Sequence, residues 1–352
     1  MFVGGEFYYD TRWFVDKPVI STDKTTFLNG GKACLIVIAD YLLDHGIDRI
    51  LLPSYLCSTI VTTLERCGLT CDYYQVNPDF FIDLDDLDQK IANHRAVYFI
   101  NYFGFLHPTA VQNHLASFRQ KGILLVEDNA QAGFTDQATG DFIFNSMRKL
   151  CAYDGGYLST PFDVSPYVNK YKGRINRHLS VIREYRSRLS DYLFHGADIY
   201  AELQMLYTLA EEFYESDQVV EGDSQERRQI ELLDWHAIKS IRRENYAYML
   251  DLISRISELS PIFPHLQEEI MPLGLPVYVK GVSRDWLFDE LGNSGIGLTI
   301  HWDELSGDSR LNGNQVAVDM AGRILTLPID QRTSHRQMDY LVENLVALIK
   351  RQ

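Results

Sequence analysis

The chain has 352 residues, 46% of them hydrophobic and 23% charged, and a formal net charge of −15. These are the values of a globular protein of two domains, or of one large domain with an appendage; disordered, collagen-like and coiled-coil chains are excluded. The acidic balance argues against generic binding to nucleic acid or to an anionic membrane, although a local basic pocket could still take an anionic small molecule.

The five cysteines, Cys34, Cys57, Cys67, Cys71 and Cys151, form no C-x-x-C pair, no metal-site spacing and no disulfide framework. They fit a reducing compartment, and no metal site is expected. The first residues do not form a basic-then-apolar leader, and no apolar run approaches the roughly 20 residues that span a bilayer. A soluble, cytoplasmic protein is expected.

The first half alternates helix and strand signals. Lys32 to Leu43 reads as a buried helix ended at Gly46, and Arg49 to Leu52 as a strand stopped by Pro53. Ser58 to Arg66 is the next helix, Thr70 to Val76 a strand, and Asp83 to Ile91 a short helix with an acidic start. Ala96 to Ile100 and Gly122 to Val126 are apolar strands on either side of a helix from Thr109 to Arg119. Such repeats imply a mostly parallel sheet with helices on its faces, with ligands taken at the carboxyl ends of its strands. From about 165 to 225 the chain turns charged, Tyr-rich and helical, with helices expected over Val181 to Phe194 and Ala201 to Tyr214. Asp234 to Leu259 reads as one long amphipathic helix. Strands at Leu275 to Val279 and Ile324 to Leu327 follow, with helices at Arg284 to Leu291 and Ser334 to Leu348. The expected division is a large domain over 1–235, including the helical insertion, and a smaller C-terminal α+β domain over 236–352.

The richest chemistry lies between Val126 and Leu158. Asp128 sits just past an apolar strand, Gln131 follows three residues on, and Ser146 stands three residues before Lys149. A lysine in apolar surroundings beside another cation, here Arg148, has its pKa lowered; the neutral amine can form a Schiff base with an aldehyde. An aspartate at a strand end suits pairing with a protonated pyridine nitrogen, the ion pair that makes pyridoxal phosphate an electron sink. Taken singly, the lysine could equally be a solvated surface residue and the aspartate a helix N-cap.

The joint pattern resembles the DegT/DnrJ/EryC1/StrS family of sugar aminotransferases, pyridoxal phosphate enzymes of fold type I. Glu127–Ala132, EDNAQA, is similar to the family's EDAAQA; the stretch from Gly140-Asp141 through Ser146-Met147-Arg148-Lys149 to Gly155-Gly156 resembles its lysine block. Gly30-Gly31-Lys32-Ala33-Cys34-Leu35 resembles its phosphate loop, Pro53-Ser54-Tyr55 its P-S-F segment, Arg243-x-Asn245-Tyr246 its connecting helix, and Arg323–Ile329 a C-terminal strand. The likeness runs from about 25 to 348, except for 165–225. It implies an α/β fold with a mostly parallel seven-stranded sheet. It also implies the cofactor pyridoxal 5'-phosphate, a homodimer, and transfer of an amino group from an amino acid such as glutamate to a keto carbon of a nucleotide-linked sugar. Lys149 would be the Schiff-base lysine and general acid/base, Asp128 the partner of the ring nitrogen, and Gln131 a neighbour of the ring hydroxyl. Gly31, Lys32, Ala33 and Ser146 would hold the phosphate. The family's ring-stacking aromatic falls on Cys57, so Tyr55, Tyr102 or Phe103 is expected to stack instead. The family's serine stands five residues before its lysine, not three. No segment matches the one that reaches a partner's phosphate; Arg227 or Arg228 could replace that contact, or simply belong to a solvated helix start. Lys149 stands where the family's dehydratases carry histidine.

Weaker candidates are His301-Trp302-Asp303, which could meet substrate or simply pack, and His107, which follows a strand end. Glu127 should point away from Asp128. Two other readings remain open: a different pyridoxal phosphate reaction, such as that of a lyase, racemase or decarboxylase, and a non-catalytic binding or regulatory protein on the same fold.

Overall fold

Seven strands make up the main sheet, in the spatial order Thr25–Leu28, Gly156–Ser159, Phe142–Phe144, Leu124–Asp128, Ala96–Ile100, Arg49–Pro53, Thr70–Tyr74. In this computed structural model, which describes residues 1–135, 138–307 and 314–351, the five strands from Phe142–Phe144 to Thr70–Tyr74 run parallel. Gly156–Ser159 is antiparallel to both of its neighbours. The centre is buried on both faces, as the unbroken apolar run of Ala96–Ile100 requires. Helix Gly31–Asp44 is buried almost all round, which explains why its sequence shows no polar face. Gly68 ends helix Ser58–Cys67 with a left-handed cap, a conformation that favours glycine.

The region 165–225 holds helices Ser165–Asn169, Arg177–His195 and Tyr200–Ser216. The last two pack as a hairpin through Leu179, Ile182, Leu189, Leu203, Leu206 and Ala210. A further helix, Ser224–Glu231, leads to Trp235–Ile253, whose start is capped by Asp234 accepting from Ala237 N at 3.0 Å. This helix stops six residues before the expected Leu259. Leu259–Pro261 is instead an edge strand of a three-stranded antiparallel sheet with Leu275–Val279 and Ile324–Leu327. The Ser-Pro at 260–261 suits an edge strand, because proline cannot donate to a helix or to an inner ladder. Helices Arg284–Asn293, Gln315–Arg323 and His335–Ile349 belong to this part of the chain.

The chain's start crosses the expected boundary at 235. Val3–Gly4 pairs in parallel with Ile296–Gly297, and Arg332 donates to the carbonyls of Gly5 and Glu6 at 3.0 and 2.7 Å. Among the described residues no helix is long and apolar enough to cross a membrane, and no group of His, Cys, Asp and Glu is arranged to hold a metal ion.

Candidate functional site

Three pieces of backbone converge at the carboxyl edge of the main sheet: the end of strand Leu124–Asp128, the N-terminus of helix Gly31–Asp44, and the short turn Met147–Lys149 after Phe142–Phe144. Asp128 is buried there. Its Oδ2 accepts the Tyr98 hydroxyl, and its Oδ1 accepts Ala130 N at 2.7 Å. Burial pushes its carboxyl above the ordinary 3.8, against the Tyr98 hydrogen bond and the nearby Lys149 charge. Burial pushes the Lys149 amine down, Cys57 and Asp128 oppose this, and Arg148 adds to it. Desolvation and the neighbouring arginine therefore both act as the sequence suggested.

Glu127 points the other way, as strand alternation demands. Its Oε2 accepts Thr139 N and Gly140 N, each at 2.8 Å, and its Oε1 accepts Asn101 Nδ2 at 3.0 Å. A Cβ on Gly140 would lie 2.7 Å from Glu127 Cβ, so glycine is the residue that fits. Gln131 accepts Phe103 N at 2.7 Å through Oε1, while its buried Nε2 has no partner among the described residues. Ser146 is buried against Gly31, where a Cβ would stand 3.4 Å from Ser146 Cβ. The first-turn N–H groups of Gly31, Lys32 and Ala33 have no partner within their helix, the usual arrangement for binding an anion.

The Lys32 side chain does something different from its backbone. Its ammonium reaches the end of helix Tyr200–Ser216 and donates to the carbonyls of Tyr214, Glu215 (2.8 Å) and Asp217 (3.2 Å). Arg66 also donates to Glu215 O, at 2.9 Å. The helical insertion is thus fixed over the site. Arg148 reinforces this contact: it pairs with Glu211 at 2.9 Å and lies 4.1 Å from the centre of the Tyr214 ring.

Two adjoining cavities lie here. One, of about 90 Å³, is lined by Asp128, Gln131, Ser146, Lys149, Cys57 and Trp302. The other, of about 450 Å³, shares Cys57, Arg148, Lys149 and Trp302 and extends toward His301 and the three-stranded sheet. Tyr55 and Tyr102 line neither. Both are buried, and their hydroxyls are taken by the carbonyls of His301 and Tyr55 respectively, with their rings packed on Phe80. Phe103 is equally buried, edge-on to His301. The expected stacking aromatics therefore form a layer behind the wall, and the wall itself is Cys57 and Trp302.

His301 is buried, with Nδ1 3.0 Å from Thr326 Oγ1; burial and the Lys149 charge push its pKa down to about 3. Asp303 faces outward and accepts from Arg284 at 2.7 Å. His107 packs on Phe81 and Phe99 with Nε2 3.1 Å from Ile100 O, away from both cavities. Arg227 pairs with Glu231 at 2.8 Å, and neither it nor Arg228 lines a cavity. Sequence reasoning missed Arg186, Tyr207, Glu211 and Tyr214. They lie on helices whose pattern reads as ordinary amphipathic surface, and nothing local marks them.

No protein-family model and no curated relative matches the chain by sequence. Solved structures do match in fold. A protein described as a sugar aminotransferase from Streptococcus pneumoniae, in its PLP form, superposes with a TM-score of 0.70 at 15% identity, covering 100% of this chain and 99% of that one. The GDP-4-keto-6-deoxy-D-mannose-3-dehydratase of E. coli, with bound hydrated PLP, gives 0.64 at 17%, covering 91% and 87%. The sugar aminotransferase CalS13 from Micromonospora echinospora gives 0.60 at 17%, covering 92% and 87%. The chain has the fold of these enzymes over nearly its whole length.

Proposed function

We propose that this protein is a pyridoxal phosphate-dependent aminotransferase, moving an amino group from an amino acid to a keto carbon of a nucleotide-linked sugar. The observation that carries the proposal is the convergence of Asp128, Gln131, Ser146, Lys149 and the Gly31 helix terminus on one small cavity at the sheet's carboxyl edge. The residues fit the cofactor on their own chemistry. Gln131 Nε2 is a buried donor with no acceptor among the described residues. Among the described residues Asp128 is a buried carboxylate that accepts from one hydroxyl and one backbone N–H, so a cationic ring nitrogen would supply it a direct counter-charge. Gly31 and Ser146 offer backbone and hydroxyl donors to a phosphate.

When bound, the cofactor supplies an electron sink for the substrate carbon. The chain's own residues do the rest. Lys149 Nζ, biased toward its neutral form by burial, takes and returns the proton. Asp128 keeps negative charge in a low-dielectric site. Trp302 and Cys57 wall the cavity. The fold similarity to sugar aminotransferases supports a sugar acceptor, and the larger adjoining cavity has room for a polar substrate of that size. A cytoplasmic homodimer is part of the same reading.

The test is the visible spectrum of purified protein given pyridoxal phosphate, with borohydride reduction and peptide mapping, beside Lys149→Ala. The expected result is a band lost in the variant and a reduced adduct on Lys149. An amino donor should then convert the cofactor to its amine form, which a lyase, racemase or decarboxylase would not do stoichiometrically. A protein with no band, or with adducts spread over surface lysines, overturns the proposal.

A further inference from the structure

The 450 Å³ cavity beside Lys149 is rich in arginine for so acidic a protein. Its lining includes Arg148, Lys149, Arg186, Arg242 and Arg332, against the carboxylates of Glu6, Glu211 and Asp330. Two of those carboxylates are committed, Glu211 to Arg148 at 2.9 Å and Asp330 to Arg332 at 2.8 Å. Glu6 accepts the Tyr207 hydroxyl at 3.3 Å. Arg242 is fully buried and has no carboxylate within ion-pair reach among the described residues. Its guanidinium is held by the carbonyls of Leu150, Pro272 and Leu273 and by Gln331 Oε1, at 2.9 to 3.3 Å. Carbonyl dipoles satisfy its N–H groups without cancelling its charge.

Arg186 carries the more specific signal. It is 2% exposed, its Nη1 donates to Asp154, and its Nε is buried with no partner among the described residues. A guanidinium N–H left without an acceptor in the interior is costly. The Nε side of the fork is one that donates to carboxylate or phosphate oxygens in bidentate fashion. Asp154 is itself fixed from behind, by His178 Nε2 at 3.4 Å, so the guanidinium is preset rather than free to swing.

We propose that Arg186, on the helical insertion, heads an anion subsite in this cavity that receives a charged oxygen group of the substrate, carboxylate or phosphate, while the reacting carbon is presented to Lys149. Arg242 supplies background positive charge to the same space. The inference rests on the aminotransferase reading only for what happens at Lys149. The subsite itself is a property of the unloaded chain.

The experiment is calorimetric titration of full-length protein, with and without pyridoxal phosphate, using glutarate for a carboxylate source and UDP for a phosphate source. Arg186→Lys keeps a charge for Asp154 but loses the Nε fork; Arg186→Gln loses both. Ser187→Ala, an exposed change on the same helix, is the control. At least one probe should bind, and Arg186→Lys should weaken it by about tenfold or more, since charge-assisted hydrogen bonds contribute about that much. Weakening of glutarate points to the amino-acid or oxo-acid substrate, and weakening of UDP to the nucleotide-linked one; either supports the subsite. Affinity unchanged in both Arg186 variants, or no binding of either probe to wild type, overturns it. Should both variants fail to fold, hydrogen exchange on wild type decides: slowing in Arg177–His195 with bound probe supports the subsite, and no slowing refutes it. A normal cofactor band with Arg186-independent binding removes the subsite alone. A missing band removes the aminotransferase reading alone.

Discussion

Replacing Asp128 with asparagine should move stability and cofactor affinity in opposite directions. In the cofactor-free chain the carboxylate sits in a buried site with one hydroxyl and one backbone N–H as partners, and its pKa lies above the ordinary 3.8. A carboxyl raised in the folded state contributes stability that is present below its unfolded pKa and lost as pH rises through its folded pKa. At neutral pH the charge is therefore a burden, of about 1.4 kcal/mol for each pKa unit of displacement. The substituted amide would keep an acceptor for Ala130 N and place its NH₂ where Oδ2 stood, while the Tyr98 hydroxyl can turn to accept. Cofactor-free Asp128→Asn should thus melt at or above the wild-type temperature at pH 7, by roughly 2 °C for each kcal/mol gained in a chain this long. The gap should close as pH falls through the raised pKa of the wild-type carboxyl and that group protonates. Cofactor affinity should fall, because breaking a buried charge pair costs on the order of 3–5 kcal/mol, or roughly 10²- to 10⁴-fold in Kd. Differential scanning of the cofactor-free proteins and equilibrium dialysis with pyridoxal phosphate measure both arms. A variant that melts several degrees lower and binds the cofactor as tightly as wild type would refute this account of Asp128.

Lys32→Met should loosen the end of helix Tyr200–Ser216, which loses three ammonium–carbonyl hydrogen bonds; amide exchange over 210–217 should quicken, by an amount equivalent to about 1–3 kcal/mol of local stability. Gly156→Ala would bring a Cβ within 2.4 Å of Asn145 O and 3.0 Å of Gly30 C. Denaturant titration should show a loss of about 1–3 kcal/mol, and the shift at Gly30 should weaken cofactor retention as well. His107 is buried and its pKa is pushed from 6.5 down to about 4. The stability it contributes is present above 6.5 and is lost as pH falls through 4, roughly 3 kcal/mol in all. His107→Gln should flatten urea midpoints measured between pH 6.5 and pH 4, and an unchanged slope would assign the acid sensitivity elsewhere.

Much of the fold was readable because its elements carry one strong signal each. Ala96–Ile100 is a strand at its expected bounds, and helix Gly31–Asp44 differs from expectation by a residue at either end. The sheet strands that escaped notice are Thr25–Leu28, Phe142–Phe144 and Gly156–Ser159. They are three or four residues long, and two of them lie among the glycines and polar residues around the lysine turn. Their strand character comes from ladder partners far away in sequence, not from a period of their own. The site follows the same logic. Asp128, Gln131, Ser146 and Lys149 lie within one stretch and could be read together. Arg186 and Tyr214 come to the site only because a hairpin folds back over it, held by contacts 32 to 182 residues distant in the chain. Tyr55 and Tyr102 looked like ring-stacking residues because they are aromatics just past strand ends, and that position cannot tell a wall from the layer behind it.

The helical insertion bears on how the cations near Lys149 can be used. Lys32 and Arg148 hold the hairpin by its last turn, through the backbone carbonyls of 214, 215 and 217 and through Glu211. An anion drawn to either of them competes with those contacts and costs part of the hairpin's anchorage. Arg186 differs because Asp154 takes only Nη1 and leaves Nε uncommitted. A ligand oxygen at Nε adds a hydrogen bond without breaking one, so the hairpin stays closed over its own ligand. The geometry therefore separates two kinds of arginine beside one lysine: Arg148, spent on architecture, and Arg186, with donor capacity left for chemistry. The separation predicts that anion binding should stiffen the insertion rather than release it.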